Sequence, residues 1–331
     1  MLLVYKFLQE FFKAINKNEY IKNVDVSKLE IGNLDDKISK KLFGSEVLLE
    51  SDPWMWHLHL KINNQCNANC SFCIESGSEG SCNDDDYLYR LNEVLSEMEK
   101  NGILHSVSIT GGEPLLSNNF ENIIKVIKKY PVNFLTLNTN GSLLSNNLEL
   151  VNNAFDFINI SRHHISDSYN NSIFGTKMPT LSELKNIKAQ LTHSKLRLQY
   201  VITHKMDYSA FISILQAFSF ADDLSFRSLM TQGDIHNVKY DNFDSITTYF
   251  SLLNIAYNEF DFVEQVIQDY YVYEIWNHLG KNINFSYSDM GFLLETEAKE
   301  DVRVCREFVL HPNGALGGSW DSSQKSLLGK V

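Results

Sequence analysis

From Trp56 the chain alternates apolar and polar residues as WHLHLKIN (56–63), the period-two pattern of a half-buried strand. The same signature returns at 104–110, 132–138, 155–161, 196–203 and 224–230. Between these segments the apolar spacing changes to that of helices, over about 84–101, 117–130, 144–153, 180–192 and 207–218. Asn101-Gly102 closes the first of them. Six strands alternating with helices predict a parallel sheet with right-handed crossovers. Six units fall short of the eight in a closed barrel, so the expected fold class is α/β, an open partial (β/α)6 barrel. Chemistry in such folds gathers at the carboxyl ends of the strands. A cysteine-rich loop, a Gly-Gly-Glu-Pro segment and an Asn-Gly segment all fall there.

The flanks read differently. Leu3, Phe7, Phe11 and Ile15 are spaced four apart, with Leu8 and Phe12 alongside, which predicts an amphipathic helix over 2–16. It either packs on the main body or offers a docking surface for a partner or peptide. Residues 21–52 read as a connector with a short helix. Trp54 and Trp56 are expected in the core. After residue 235, segments 241–258 and 261–279 read as helices, with Tyr270, Tyr271, Tyr273 and Trp276 as packing residues. REFVLHPNGALGGSW (306–320) reads as strand, Asn313-Gly314 turn and return strand. The expected organisation is a helical N-terminal extension (1–52), a barrel core (53–235) and a helical and hairpin C-terminal cap (236–331).

Composition narrows the function. The 331 residues carry a formal net charge of -12, a field that repels nucleic-acid phosphates. The 5 cysteines are an odd number, which does not suit a disulfide framework. No leader and no membrane-length apolar run is read, so the cytoplasm is the expected compartment.

Three cysteines lie in INNQCNANCSFCIES, spaced Cys66-x3-Cys70-x2-Cys73. Thiolates ligate iron–sulfur clusters, and three of them leave one iron of a [4Fe–4S] cube open, as a catalytic metal requires. The alternative is a structural zinc site, with His57 or His59 as fourth ligand. Cys-x3-Cys-x-aromatic-Cys after a first strand, with Phe72 as the aromatic, resembles the signature of the radical S-adenosylmethionine (SAM) superfamily. Further motifs over residues 55–235 resemble that family: Gly111-Gly112-Glu113-Pro114, Thr139-Asn140-Gly141, Ile160-Ser161-Arg162 and Arg197-Leu-Gln-Tyr-Val201.

The resemblance implies two cofactors, a [4Fe–4S] cluster on Cys66, Cys70 and Cys73 and SAM on its open iron. The reduced cluster of the family cleaves SAM to methionine and a 5′-deoxyadenosyl radical, which abstracts hydrogen from substrate. It implies that Gly111, Gly112 and Glu113 bind the methionyl amine, that Thr139 and Asn140 lie near SAM, and that Ser161 approaches its ribose and carboxylate. Arg197 either reaches the SAM carboxylate or is a salt-bridged barrel arginine. His163 stands where the family often has aspartate.

Cys305 and the segment after it resemble the start of an auxiliary-cluster element, but no second cysteine follows the turn, and no auxiliary cluster is expected. Cys305 and Cys82 are either buried small hydrophobes or hydrogen-atom donors to a substrate radical. Arg162, His163 and His164 lie near the barrel mouth, to touch substrate or to pack. The expected substrate is a ribosomally made peptide, epimerised or cross-linked, or else a small molecule that is rearranged or dehydrogenated. The resemblance also implies an electron donor such as flavodoxin or ferredoxin. A non-catalytic iron–sulfur or zinc protein is the reading from a different class.

Overall fold

The computed structural model describes residues 37–50, 56–73, 80–229, 245–267, 271–288, 304–305, 307–318, 320 and 326–331. The helix expected over 2–16, Trp54 and Tyr270 lie outside them. Strands β1 (Lys37–Leu42) and β2 (Ser45–Glu50) form an antiparallel hairpin in the stretch expected as connector and short helix. Phe43 and Gly44, at φ 51° and 79°, make the turn. Val47 and Leu49 share one face by period two, and with Leu42 they bury it, which a helix would not achieve with that spacing.

The alternation then follows: β3 (His57–Lys61), α1 (Asp84–Lys100), β4 (Ser106–Thr110), α2 (Phe120–Ile127), β5 (Phe134–Thr139), α3 (Leu148–Asn152) and β6 (Phe157–Ser161). Next come α4 (Asp167–Phe174), α5 (Leu181–Gln190), β7 (Lys195–Val201), α6 (Tyr208–Ala217) and β8 (Asp223–Arg227). Strands β3 to β8 pair in parallel with their sequence neighbours. The six-stranded partial barrel expected from the pattern is therefore present. Local chemistry fixes the helix ends. Asn83 caps α1 by accepting from Asp86 N, and Thr180 with Glu183 forms a capping box on α5. Helix α4 was not anticipated, though its signals are legible: Ser166 caps its start and Gly175, at φ 68°, ends it.

The C-terminal third adds α7 (Ser245–Glu259), β9 (Asp261–Ile267), β10 (Tyr271–His278), β11 (Lys281–Ser288), β12 (Val304–Cys305), β13 (Phe308–Leu310) and β14 (Leu316–Gly317). Within 261–279, expected as a helix, residues 261–267 and 271–278 form strands instead. Val272, Glu274 and Trp276 bury one face of β10 with period two, and aromatic and β-branched side chains suit a pleated surface. These strands widen the sheet at both edges. Strand β11 pairs in parallel with β8, and β13 pairs in parallel with β3. The main sheet reads β14-β13-β3-β4-β5-β6-β7-β8-β11-β10-β9, while β12 joins β1 and β2 in a second, three-stranded sheet. The 308–317 hairpin is as expected, with Gly314 in its turn at φ 77°.

One buried carboxamide sets the spacing between α3 and β7. Asn152 Oδ1 accepts from the backbone N–H groups of Thr192, His193 and Ser194 at 3.0–3.1 Å, and its Nδ2 donates to Thr192 Oγ1. Asn152→Ala leaves three backbone donors without their acceptor. It should lower unfolding stability by about 2–3 kcal/mol in a urea titration.

Candidate active site

The cysteine loop leaves β3 at Lys61 and is held by the turn that follows β4. Ile62 N donates to Thr110 O, Gly112 N to Asn63 O at 3.0 Å, and Glu113 N to Gln65 O at 2.7 Å, prolonging the β3–β4 ladder into the loop. This close approach explains the double glycine. A Cβ at Gly111, whose φ is 145°, would stand 2.6 Å from Asn63 O, and one at Gly112 would overlap Gln65 O.

Glu113 is wholly buried. Its Oε1 accepts from Thr139 Oγ1 at 2.7 Å and Leu115 N at 3.1 Å, and its Oε2 accepts from Asn140 N at 2.8 Å. Burial pushes its carboxyl pKa up, and these three donors oppose the shift. Asn140 Nδ2 then donates to Asn67 Oδ1, and Asn67 Nδ2 to Ser142 Oγ, each at 2.8 Å. Asn67 lies between the first two cysteines, so the loops after β3, β4 and β5 form one hydrogen-bonded unit.

The loop after β6 completes the surround. Asn69 N donates to Phe174 O at the end of α4. Phe72 meets the His163 ring edge-on with centroids 5.2 Å apart, and His163 stacks on Phe174 at 5.1 Å. His163 Nδ1 accepts from Val201 N, and burial followed by the nearby Arg162 charge holds its pKa at about 3. Arg162 is 1% exposed and donates to the carbonyls of His164, Ile165 and Pro179 and to Asp167 Oδ1 at 2.6 Å. It organises the segment that bears Phe174.

The structure thus brings together Cys66, Cys70, Phe72, Cys73, Gly111, Gly112, Glu113, Thr139 and Asn140. Ser161 ends β6 at the same side of the sheet. Arg197 sits level with Asn159, two residues short of Ser161 along the strands, and is ion-paired with Asp223 at 2.9 Å. Cys82 is also at the carboxyl end, where its N–H and Sγ both donate to Pro312 O. Cys305 is buried on β12, before the amino end of β13. Because β13 runs parallel to β3, Cys305 lies at the opposite end of the barrel from the cysteine loop. His57 and His59 project from β3 below the loop, with Nδ1 atoms 2.6 and 2.9 Å from Ser106 Oγ and Ser108 Oγ. Burial holds both imidazoles neutral, and with the Arg227 charge it takes His59 to about 3. Sequence reasoning missed Asn67, whose signal was an amide inside the cysteine triplet, Gln65, which acts through its backbone, and Asn63, which acts through its backbone and through Nδ2 donating to Glu113 O.

Residues 60–190 match the family model of the Radical SAM superfamily. That match spans less than half of the 331 residues, and over it the chain is similar to that superfamily. It is 33% identical over 114 residues to a probable GTP 3',8-cyclase of Saccharolobus islandicus, covering 33% of this chain and 35% of that protein. It is 30% identical over 186 residues to the GTP 3',8-cyclase of Clostridium perfringens, covering 54% of this chain and 56% of that protein. The chain therefore spans about a third to a little over half of these curated relatives. Its fold is similar to that of SuiB from Streptococcus suis bound to S-adenosylmethionine, with a TM-score of 0.57 at 16% identity over 85% of this chain and 63% of SuiB. SuiB bound to its precursor peptide SuiA gives a TM-score of 0.55 at 16% identity, over 80% of this chain and 59% of SuiB.

The superfamily's cofactors are a [4Fe–4S] cluster and SAM, and the donor set here fits that cluster. Cys66 is exposed, while Cys70 and Cys73 are half-buried. Burial, then the neighbouring Cys73 and Cys66, push the Cys70 thiol up to about 12, the mutual penalty that a bound cation reverses. Among the described residues, no three His, Cys, Asp or Glu side chains already stand at metal-coordinating proximity. The fit rests on three thiols in one pinned loop.

Gly112→Ala drives a methyl group into the Gln65 carbonyl and displaces the loop. Iron and sulfide analysis after anaerobic reconstitution should show cluster affinity weakened by about 10-fold. Far-UV circular dichroism should stay that of the folded barrel.

Proposed function

We propose that this chain is a radical SAM enzyme that modifies a peptide by abstracting hydrogen from one of its C–H bonds. The observation that carries the catalytic reading is the joining of the three-cysteine loop to the Gly-Gly-Glu and Thr-Asn-Gly loops at the carboxyl ends of parallel strands. A structural metal site would have no use for that surround. When bound, the cluster supplies the electron that splits SAM into methionine and a 5′-deoxyadenosyl radical. Cys66, Cys70 and Cys73 hold it. Phe72, Gly111, Gly112, Thr139, Asn140 and Ser161 are the residues we assign to SAM, with Glu113 fixing the loops on either side in register. The electron comes from a flavodoxin- or ferredoxin-type partner.

The peptide assignment is supported by a fold similar to that of SuiB, which has been crystallised with a precursor peptide. A second reading, chemistry on a small molecule such as a nucleotide, is favoured by the identity to the GTP 3',8-cyclases. That identity covers 54% of the chain and leaves the remainder free to differ.

Anaerobic reconstitution with iron and sulfide, followed by SAM and dithionite, should yield 5′-deoxyadenosine by mass spectrometry. Cys70→Ala should lower the yield by about 100-fold or more, because it leaves the cluster two of its three thiolate ligands. A loaded cluster that binds SAM tightly yet gives no 5′-deoxyadenosine with any reductant contradicts the catalytic reading.

A further inference from the structure

The two faces of the barrel strands differ in kind. Toward the helices, Ile158, Leu196, Leu198, Phe226, Ile283 and Phe285 are all at most 2% exposed. The opposite, concave face carries polar side chains in register. Asn159 aligns with Arg197 on β7, and Arg197 with Asp223 on β8, while Asn284 aligns with Ser225. Ser161, Gln199 and Arg227 on this face stay partly open to solvent although they lie in the middle of an 11-stranded sheet. This face is therefore polar and partly open to solvent.

Two carboxamides in it are incompletely bonded. Asn284 is 1% exposed, and among the described residues neither its Oδ1 nor its Nδ2 has a hydrogen-bond partner. Asn159 is 5% exposed and donates to Asn138 Oδ1 at 2.9 Å, while its own Oδ1 has no partner among the described residues. Orphaned buried amides cost stability, so native structures keep them where something else completes the bonding. A carboxamide with both functions vacant matches a group presenting one N–H and one C=O, which is a peptide unit. Asp223 meets the charge of Arg197, and Arg227 adds a cation among the neutral amides and hydroxyls of the face.

We infer that the barrel interior grips a stretch of substrate peptide backbone through Asn284 and Asn159, below the cysteine loop. This rests on the peptide reading above and assigns residues to it.

The test uses holoprotein reconstituted with iron, sulfide and SAM, whose iron and SAM contents are measured first. A pool of N-acetylated, C-amidated hexapeptides of randomised sequence is added, and the peptides that co-elute on gel filtration are counted by mass spectrometry. Wild type should retain a subset, and Asn284→Leu at least about tenfold less of it. In the peptide-free holoprotein Asn284→Leu should raise Tm by about 2 °C, since it removes an orphaned amide. A structural asparagine would instead lower it. The inference is overturned if wild type retains no peptide, if Asn284→Leu retains as much, or if Asn284→Leu and Asn284→Ala both lower Tm. Retention of GTP in place of peptide overturns it as well. Failure to load iron or SAM identifies a failure of the radical SAM reading, separately from these outcomes.

Discussion

A carboxylate removed from water must be compensated by donors fixed in place, and Glu113 meets that demand with groups from two segments. Leu115 N comes from its own turn, and Thr139 Oγ1 and Asn140 N come from the loop after β5. Its backbone N–H is spent on the cysteine loop. Breaking any one link strands a buried charge or a buried donor, so the three loops hold one another in a single arrangement. Cysteines on a free loop would sample many spacings. Cysteines on a loop tied at Asn63, Gln65, Asn67 and Asn69 are confined to few, which lowers the entropic cost of gathering three thiolates around one cluster.

The same frame separates tasks by level along the strands. Carboxyl-end loops present thiols, glycines and amides where a cluster and a charged cofactor would sit. One step below, His57 and His59 are kept neutral by burial, and Arg197 is matched by Asp223. The helix side is largely apolar, with Glu274 its buried exception bonded to Tyr257, and carries the stability that a polar interior cannot supply.

Much of this was legible in the chain. Period-two runs separated by helical spacing gave the six-stranded order, because a strand buried against helices on one face must alternate. The cysteine spacing and the Gly-Gly-Glu segment marked the site, since few other residues tolerate those contacts. What escaped depends on tertiary context. Tyr271 to His278 carries enough aromatics for either a helix or a strand, and only pairing with β11 decides it. The sequence left open whether Arg197 reached the cofactor or made a salt bridge, and whether Cys305 was a hydrogen donor or a buried small residue. Distance along a strand and the parallel direction of β13 are properties of the folded sheet. Asn67 and Asn284 look like ordinary polar residues until their neighbours are known.

On the proposed reading, the pinned cysteine loop holds a cluster with one iron open to SAM. Electron paramagnetic resonance of the dithionite-reduced, reconstituted protein, recorded with and without SAM, tests it most directly. A [4Fe–4S] signal whose g values change when SAM is added is the predicted result. A cluster signal indifferent to saturating SAM, or reconstituted protein that prefers zinc in the same loop, would contradict it.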